Sequence, residues 1–463
     1  MENKKENFSE WYNEIVEISG LSDKRYPVKG MNVWLPYGMK IMREIDRIIR
    51  ETVEVRGIEE VNFPVLITRD QLSVEFEHVK GFENQVYWVT KGGNDKLDVE
   101  MALRPTSEAA MYGMFALWIR SHTDLPLRIY QIVNVYRYET KHTRSFIRVR
   151  EIHFFEAHTA HATFEESENQ LLDYLEIWKR VSSELCIPYI VNKRPEWDKF
   201  PGAMYTLAGD TLVGGRSLQV ATMHEYGTNF SKNYNITYLK DDGTHDYVNQ
   251  TTFGMSERLL AAVIGIHGDD KGLILPPSIA SVQVIIITIP SENPEVKVYA
   301  HKVEGMLREI GIRASTDDRD NYTPGFKYNE WEMKGVPLRI EIGEKEFIKN
   351  TVTFALRPTR EKRTVPVEKI SETVTILDEI KTILTNRAEE YMKNSIHELN
   401  DINEIAEANG FLKVGWCGRK ECSDKLEEKF GLGNLGIPYE SNEKKKCIVC
   451  SKPGSIAVFS HSF

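Results

Sequence analysis

Residues 135–139 (VYRYE), a polar loop at 140–145 (TKHTRS) and residues 146–151 (FIRVRE) are the stretch that decides the fold. Two strand-like segments on either side of a short polar loop are typical of an antiparallel hairpin. Arg137 and Glu139 lie two residues apart, so their side chains would point to the same face of the first strand. The sequence therefore predicts a hairpin that presents an arginine and a glutamate together.

Positive charge is concentrated in and just after this loop. The loop contains Lys141, His142 and Arg144, and Arg148 follows on the second strand. Planar guanidinium groups match phosphate oxygens with paired hydrogen bonds, so the pattern favours a polyphosphate site. A salt-bridged sheet surface is the alternative that these residues leave open.

The segments around the hairpin predict an antiparallel sheet. Residues 8–56 have the pattern of a helix, a short strand and a long helix, and a strand that ends at Pro64 follows. Further strand-like segments lie at 97–103, 127–137, 147–158, 204–211 and 217–223, with helical stretches at 106–121 and 164–186. Strands outnumber crossover helices and often follow one another directly, which favours an α+β domain with an antiparallel sheet.

A second arginine lies at the start of a predicted helix. Residues 254–258 (GMSER) lead into a helical stretch from Ser256 to Ile266. Because the first turn of a helix presents backbone N–H groups, Arg258 just after a glycine is well placed to meet an anion.

The pattern changes near Pro276. An apolar strand at 282–289, a helix at 295–310, a strand at 312–316, a helix at 325–335 and a strand at 337–342 follow one another. This βαβα order predicts a small α/β domain with a mostly parallel sheet. We predict domains at 1–276, 277–378 and 379–463.

Four of the five cysteines lie in the last 50 residues. Cys417 and Cys422 form a C-x4-C pair, and Cys447 and Cys450 form a C-x2-C pair. Two such pairs can place four thiolates around one tetrahedral ion, which is typical of a structural zinc site. Unligated thiols or an iron site remain alternatives. Cys186 stands alone and is predicted to be a buried core residue.

Composition excludes some classes of protein. The net charge of −10 argues against a generally basic nucleic-acid coat, although local basic residues remain possible. No run of about 18 apolar residues is present, so we expect no membrane-spanning helix. The charged and polar N-terminus does not have the apolar core of a signal peptide, and we expect a cytoplasmic protein.

Taken together, these motifs resemble a known family. The strand ending at Pro64, the hairpin and the helix at Arg258 follow the order of motifs one, two and three of class II aminoacyl-tRNA synthetases. Longer stretches resemble prolyl-tRNA synthetases of the archaeal and eukaryotic type: residues 102–108 (ALRPTSE), 136–140 (YRYET), 199–203 (KFPGA), 266–272 (IHGDDKG), 323–328 (TPGFKY) and 331–339 (WEMKGVPLR). The resemblance runs from about Phe8 to the C-terminus and implies activation of L-proline with ATP, followed by transfer to tRNA(Pro).

The resemblance also implies the residues of the site. It assigns Arg137 and Arg258 to catalysis. It assigns ATP binding to Arg137, Glu139, Arg148, Gln219, Thr222 and Arg258, with Mg²⁺ between the phosphates. It assigns proline binding to Thr106, Glu108, Arg137, Phe82, Phe154, Glu156, His158, His224 and Ser256. Taken singly, residues such as Phe82, His158 and His224 would more simply be core residues.

The second domain is expected to read the tRNA anticodon. It resembles the anticodon-binding domain of class II synthetases, and Arg339 and Glu341 are of the types that contact base edges. Surface charge on an edge strand is the alternative for both. The resemblance further implies a homodimer, with the motif-one helix and strand at the interface.

Some residues depart from the family pattern. Residues 344–346 (EKE), Ser145, Met204, residues 225–226 (EY) and the terminal Phe463 all look unusual. None of them replaces a predicted catalytic arginine. Two other functions therefore stay open at this point: a paralogue that activates proline or cysteine for a non-tRNA acceptor, and a non-catalytic tRNA-binding protein.

Overall fold

A long antiparallel sheet organises the structure, which is a computed structural model that describes residues 2–76, 85–138 and 142–463. The helices of these residues are α1 (Phe8–Ile18), α2 (Pro36–Glu54), α3 (Arg69–Phe76), α4 (Glu108–Trp118), α5 (Phe164–Glu184), α6 (Asn229–Asn233), α7 (Arg258–His267), α8 (Glu295–Glu309), α9 (Pro324–Met333), α10 (Glu344–Lys349), α11 (Thr373–Asn394) and α12 (Lys420–Phe430). Short 3-10 turns lie at His122–Asp124, Val367–Glu372 and Ile402–Glu407.

The strands number from the N-terminus in the same way. They are β1 (Ser22–Asp23), β2 (Val33–Trp34), β3 (Glu59–Glu60), β4 (Leu66–Thr68), β5 (Trp88–Gly92), β6 (Asp95–Leu103), β7 (Leu127–Tyr136), β8 (Glu151–His161), β9 (Ile190–Lys193), β10 (Tyr205–Val213), β11 (Arg216–Gly227), β12 (Thr237–Leu239), β13 (His245–Tyr247), β14 (Asn249–Ser256), β15 (Val284–Thr288), β16 (Ala314–Asp317), β17 (Leu338–Ile342), β18 (Thr351–Leu356), β19 (Lys362–Pro366), β20 (Ile396–Glu398), β21 (Phe411–Trp416), β22 (Gly433–Pro438) and β23 (Ser455–Ser460).

The predicted antiparallel sheet is confirmed. In the described part of the chain, the catalytic portion of the sheet runs β9-β10-β11-β14-β8-β7-β3. Its neighbours pair antiparallel, apart from the short parallel pair of β3 and β7 at the edge. The β4-β6-β5 sheet is separate, so the strand predicted at 97–103 lies outside the main sheet.

Helices cover one face of this sheet and form the largest core. α5 packs on β8, β11 and β14, and α2 packs on α5. Helix α2 buries one apolar face, to which Ile41, Met42, Ile45 and Ile49 belong. Helix α7 is buried almost along its whole length between the sheet and α11, which explains its nearly uninterrupted apolar sequence.

The second domain contains a five-stranded sheet of order β16-β15-β17-β18-β19. The parallel pairing of β15 with β16 and β17 matches the predicted α/β order. β18 and β19 were not predicted, and both pair antiparallel, so the sheet is mixed. All residues of β15 are buried, as expected for a central parallel strand.

The C-terminal segment does not form a separate sheet. Its strands β20-β21-β23-β22 join the catalytic sheet through antiparallel pairing of β22 with β9. The result, among the described residues, is one 11-stranded sheet that crosses from the C-terminal domain into the catalytic domain.

Element boundaries differ from the predictions in two places that matter for the site. β8 begins at Glu151 rather than 147, because residues 145–147 form a turn. Ser256 ends β14 and α7 begins only at Arg258, so the motif is a strand-to-helix junction. Among the described residues, no helix has both the length and the apolar character needed to cross a membrane.

Candidate active site

A cavity of about 480 Å³ opens on the face of the catalytic sheet opposite α5. Strands β8, β11 and β14 form its floor, and the segments after β7 and before α4 contribute to its walls. Every predicted ATP- or proline-binding residue that the structure describes lines it: Thr106, Glu108, Arg137, Arg148, Phe154, Glu156, His158, Gln219, Thr222, His224, Ser256 and Arg258. Phe82 and Glu139 lie outside the described residues. One cavity thus collects side chains from segments far apart in sequence.

Strand geometry explains most of this convergence. Phe154, Glu156 and His158 alternate along β8 and so share a face. Gln219 and Thr222 on β11 lie three residues apart, which in a regular strand would place them on opposite faces. The register of β10 and β11 shifts between Gly209 and Asp210, so one extra residue of β11 is accommodated there. This bulge brings Gln219 and Thr222 to the same cavity.

The floor of the cavity holds a buried network around Glu156. The hydroxyl of Ser107 and the side-chain amide of Gln131 donate to Glu156 Oε1, the latter at 2.9 Å. Glu156 Oε2 lies 3.1 Å from His158 Nε2, and His158 Nδ1 lies 3.3 Å from the Tyr112 hydroxyl. Each polar group of the network therefore has a partner, as buried polar groups require.

The charges of this network stabilise one another. Burial opposes ionisation of Glu156, but its hydrogen bond and attraction to His158 outweigh this and hold its pKa below the usual range. Burial also disfavours the His158 cation, yet Glu156 and Glu108 raise the pKa of His158. Both shifts favour the charged forms, so the buried carboxylate and imidazole of the floor stabilise each other's charge.

Glu108 forms the second acidic group of the cavity. The Thr106 hydroxyl donates to its Oε2, and the Tyr226 hydroxyl donates to its Oε1 at 2.9 Å. Thr252 Oγ1 in turn donates to the Tyr226 oxygen at 3.0 Å. Glu108 is also the first residue of α4, where a carboxylate is favoured by the helix dipole.

An aromatic wall stands beside these carboxyl groups. The Phe200 ring lies 4.8 Å from the His224 ring, and His224 Nδ1 lies 2.8 Å from Thr206 Oγ1. Burial lowers the pKa of His224 to about 3, and nearby His158 and Arg137 add to this. His224 is therefore neutral at physiological pH and serves as a flat, uncharged surface.

Arginines occupy the remaining side of the cavity. Arg137 Nε donates to the Pro105 carbonyl at 3.0 Å, and Arg258 Nε donates to the Ile147 carbonyl at 2.9 Å. Arg148 Nη2 donates to the Phe463 carbonyl oxygen at 3.4 Å. These backbone contacts orient the guanidinium groups, which are permanently charged and suited to phosphate and carboxylate oxygens.

A buried carboxyl group adjoins Arg258. Burial raises the pKa of Glu257 to about 8, although the backbone N–H of His153 donates to it. The same His153 places its Nε2 3.0 Å from both oxygens of Asp46 on α2. His153 thereby connects the junction of β14 and α7 to helix α2.

Sequence reasoning missed several residues in and around the cavity. Gln131, Tyr226 and Thr206 hold the predicted residues in place, and the pocket lining also includes Trp197 and Phe200. Phe200 lay within a stretch noted for its family resemblance, and Tyr226 within a pair noted as unusual. The sequence around Phe200 and around Tyr226 has no local pattern that indicates which side chains they contact.

The four C-terminal cysteines also come together. Cys417 Sγ lies 3.6 Å from Cys422 Sγ and 3.7 Å from Cys450 Sγ. One ligand atom from each of Cys417, Cys422, Cys447 and Cys450 lies within 4.8 Å of the others. An all-thiol set at this spacing fits a tetrahedral metal ion and leaves no position open for substrate.

In the second domain, Arg339 and Glu341 are paired with each other. Arg339 Nη2 donates to Glu341 Oε1 at 2.9 Å, and Lys362 Nζ donates to Glu341 Oε2 at 2.8 Å. The Arg339 guanidinium also lies 4.1 Å from the centre of the Tyr328 ring. A cation, a carboxylate and an aromatic ring thus meet on one face of β17.

Family models match three regions of the chain. A family model described as tRNA synthetase class II core domain (G, H, P, S and T) matches residues 87–267. One described as anticodon binding domain matches residues 283–376, and one described as prolyl-tRNA synthetase, C-terminal, matches residues 399–463.

Full-length relatives and solved structures are also similar. The chain is 61% identical over 465 residues to a proline–tRNA ligase of Thermoplasma volcanium, covering 100% of both chains. It is 53% identical over 473 residues to one of Thermococcus kodakarensis, covering 99% of this chain and 98% of the other. The structure of Giardia lamblia prolyl-tRNA synthetase in complex with prolyl-adenylate matches with a TM-score of 0.96 at 33% identity, covering 99% of each chain.

Proposed function

The chain belongs to the prolyl-tRNA synthetase family of class II aminoacyl-tRNA synthetases, and from this premise we propose how its cavity performs the reaction. It activates L-proline with ATP to prolyl-adenylate and transfers the prolyl group to tRNA(Pro). The resemblance predicted from the sequence is thereby confirmed, and so is the class II fold. The roles of individual residues, given next, are our proposal.

We propose that proline lies between the acidic floor and the Phe200–His224 wall. Its secondary ammonium needs two hydrogen-bond acceptors, which Thr106 and Glu108 supply. Glu156 and His158 fix the floor beneath it, and Phe154 and Ser256 complete the lining. The observation that carries this proposal is the buried, fully hydrogen-bonded pair of carboxyl groups at the base of a cavity whose other side is arginine-rich.

ATP would occupy the arginine-rich side. Arg137 bridges the proline carboxylate and the α-phosphate, Arg148 and Arg258 hold the outer phosphates, and Gln219 and Thr222 line the nucleotide site. A carboxylate oxygen of proline attacks the α-phosphorus, and the bond from that phosphorus to pyrophosphate breaks. The nucleophile is already an anion, so positioning and charge neutralisation suffice without a general base.

Magnesium is expected to arrive with ATP. Mg²⁺ prefers oxygen ligands and is usually held by substrate phosphates with few protein groups. The cavity offers such an oxygen on Gln219. When bound, the ion would offset the negative charge of the phosphates.

The cysteine cluster is proposed to hold structural zinc. Its donor set is closed and distant in sequence from the catalytic residues, and zinc would join the two cysteine pairs into one unit. Arg339 and Glu341 are proposed to contact anticodon bases, since Arg and Glu side chains match guanine and cytosine edges. Contacts to the bases would then replace the ion pair between Arg339 and Glu341.

Two further expectations stay predictions. By its family, the protein is proposed to be a homodimer, with α2 and β3 at the interface. A cytoplasmic location is proposed on the same ground.

The test is ATP–pyrophosphate exchange with each amino acid in turn, followed by charging of total tRNA with the active one. We expect exchange and charging with proline. Exchange without charging would favour the paralogue with a non-tRNA acceptor and direct attention to residues 344–346. No exchange with any amino acid would refute the assigned pocket.

A further inference from the structure

The wall of the cavity that carries Phe200 is a loop, residues 194–201, which follows directly after β9. Its residues Trp197, Asp198, Lys199, Phe200 and Pro201 all line the cavity. A loop has no strand ladder of its own, so its position depends on what it touches.

The C-terminal domain holds the first end of this loop. Strand β22 pairs with β9, with Ile437 opposite Lys193. Gly436 has φ +102°, and a Cβ at this position would lie 2.0 Å from the Lys193 carbonyl oxygen, so only glycine permits this approach. Arg194 Nη1 donates to the Leu435 carbonyl at 2.7 Å. The two domains are therefore in close backbone contact where the loop begins.

The outer part of the loop meets the C-terminal domain through two tryptophans. The ring of Trp197 lies 5.7 Å from that of Trp416 at an interplanar angle of 84°, an edge-to-face contact. Trp416 is 6% exposed, whereas Trp197 is 39% exposed. Trp416 is the fixed partner, because its Nε1 donates to the Arg419 carbonyl at 3.0 Å and its ring belongs to the core of the C-terminal domain.

From Trp197 the loop leads to the proline side of the cavity. Phe200 N donates to Thr206 Oγ1 at 2.9 Å, and that same hydroxyl contacts His224. The Phe200 ring also lies 5.8 Å from the ring of Tyr226, the partner of Glu108. A shift of the loop would therefore move the aromatic wall and disturb the group that holds Glu108.

We infer that Trp416 is a positioning residue for proline binding: it fixes Trp197, and through the 194–201 loop it fixes Phe200 against His224. Trp416 directly precedes Cys417, so the fold of the cysteine cluster sets where Trp416 stands. This inference rests on the proposed placement of proline between Phe200 and the acidic floor. It gives the C-terminal domain a part in amino-acid recognition.

The test compares Trp416→Leu with Trp416→Phe. Leucine fills apolar volume but removes the aromatic contact, and phenylalanine keeps it. An edge-to-face pair contributes enough that its loss should raise both KM and the calorimetric Kd for proline about two- to tenfold. We expect KM for ATP and kcat to change less than about twofold, and Trp416→Phe to restore proline binding to about the wild-type level.

Phe430→Leu is the matched control. Phe430 packs against the same C-terminal core but lies at the end of α12. We expect it to leave KM for proline unchanged. If it raised KM as much as Trp416→Leu does, general loosening of the domain would explain the effect, and the inference would be overturned.

A second readout follows the loop itself. Amide hydrogen exchange in residues 194–201 should become faster in Trp416→Leu than in the wild type and in Phe430→Leu. Unchanged exchange together with unchanged KM would overturn the inference. Should Trp416→Leu fail to fold, Trp416→Met, which is also apolar and not aromatic, takes its place with the same expectations.

Phe200→Ala distinguishes a failure of the proposed proline site from a failure of the proposed role of Trp416. If it leaves KM for proline unchanged, the proposed proline site is wrong. If it raises KM while Trp416→Leu does not, only the role of Trp416 fails.

Discussion

The cavity and the cysteine cluster obtain their order in different ways. In the cavity, carboxyl groups that would be costly to bury are satisfied by the chain's own donors, such as Gln131 and Tyr226. In the cluster, four thiols converge in a small domain, and a metal ion is the partner that this arrangement fits. The first kind of site is stabilised from within the fold, and the second, as we propose, depends on a metal ion from outside. The two should therefore respond differently to substitution.

Loss of the metal should have the largest effect. Cys447→Ser removes one of four ligands, and binding energy of structural zinc is largely folding energy. We expect the C-terminal domain to lose its ordered structure. The zinc content should fall well below the value of about one ion per chain that we expect for the wild type. Elemental analysis and thermal unfolding check this. Cys186→Ser, at a buried cysteine outside the cluster, is the control and should keep the metal. A well-folded wild type with little zinc would contradict the cluster assignment.

Arg137→Ala tests the cavity, the site that is stabilised from within the fold. It should lower kcat for pyrophosphate exchange about 10²- to 10³-fold, because a charge that stabilises the transition state is lost. The midpoint of thermal unfolding should stay close to that of the wild type, since the bond from Arg137 to the Pro105 carbonyl is lost but the hydrogen bonds of Glu108 and Glu156 remain. Arg69→Ala, at an exposed ion pair with Glu100, is the control and should leave kcat unchanged. Substantial activity in Arg137→Ala would remove Arg137 from its assigned role.

Tyr226→Phe weakens the cavity from within. It removes the hydrogen bond to Glu108, and loss of a hydrogen bond to a charged group costs about 1.5–3 kcal/mol. We expect KM for proline to rise about tenfold or more and the free energy of unfolding to fall. Tyr238→Phe is the control, because its hydroxyl donates to the Ala162 carbonyl at 3.1 Å, away from the cavity. Tyr238→Phe should lower stability without raising KM for proline. If both substitutions raised KM equally, the proposal that Tyr226 acts through Glu108 would be wrong.

The effect of Glu257→Gln should be confined to the pH dependence of stability. Burial raises the pKa of Glu257 to about 8 in the folded protein, against an ordinary value of 4.5. Between these values the folded state holds a proton that the unfolded state has released, so stability falls as pH rises, by at most about 1.4 kcal/mol for each pH unit. Urea unfolding between pH 5 and 8 should show a flatter dependence in Glu257→Gln. An unchanged slope would show that Glu257 is ionised in the folded protein.

The same contrast explains what could be predicted from the sequence. The cysteine pairs are local patterns, so their convergence was predicted from spacing. Arg137, Glu108 and Gln219 were named from family resemblance, and the structure brings them to one cavity, although their roles stay predictions. The donors that hold them, Gln131 and Tyr226, were missed because a buried hydrogen bond between distant strands has no local signature.

The sequence alone determined the class of the protein. Alternation in strands, helical spacing in α2, the cysteine pairs and the long family stretches all lie within short segments of chain, where local physics and resemblance suffice. Only the tertiary structure decided how those segments meet. The β11 bulge that aligns Gln219 with Thr222, the pairing of β22 with β9, and the contact of Trp416 with Trp197 join residues through register and packing. Such contacts are selected by the whole fold, because a strand pairs wherever its edge and its buried face are both satisfied.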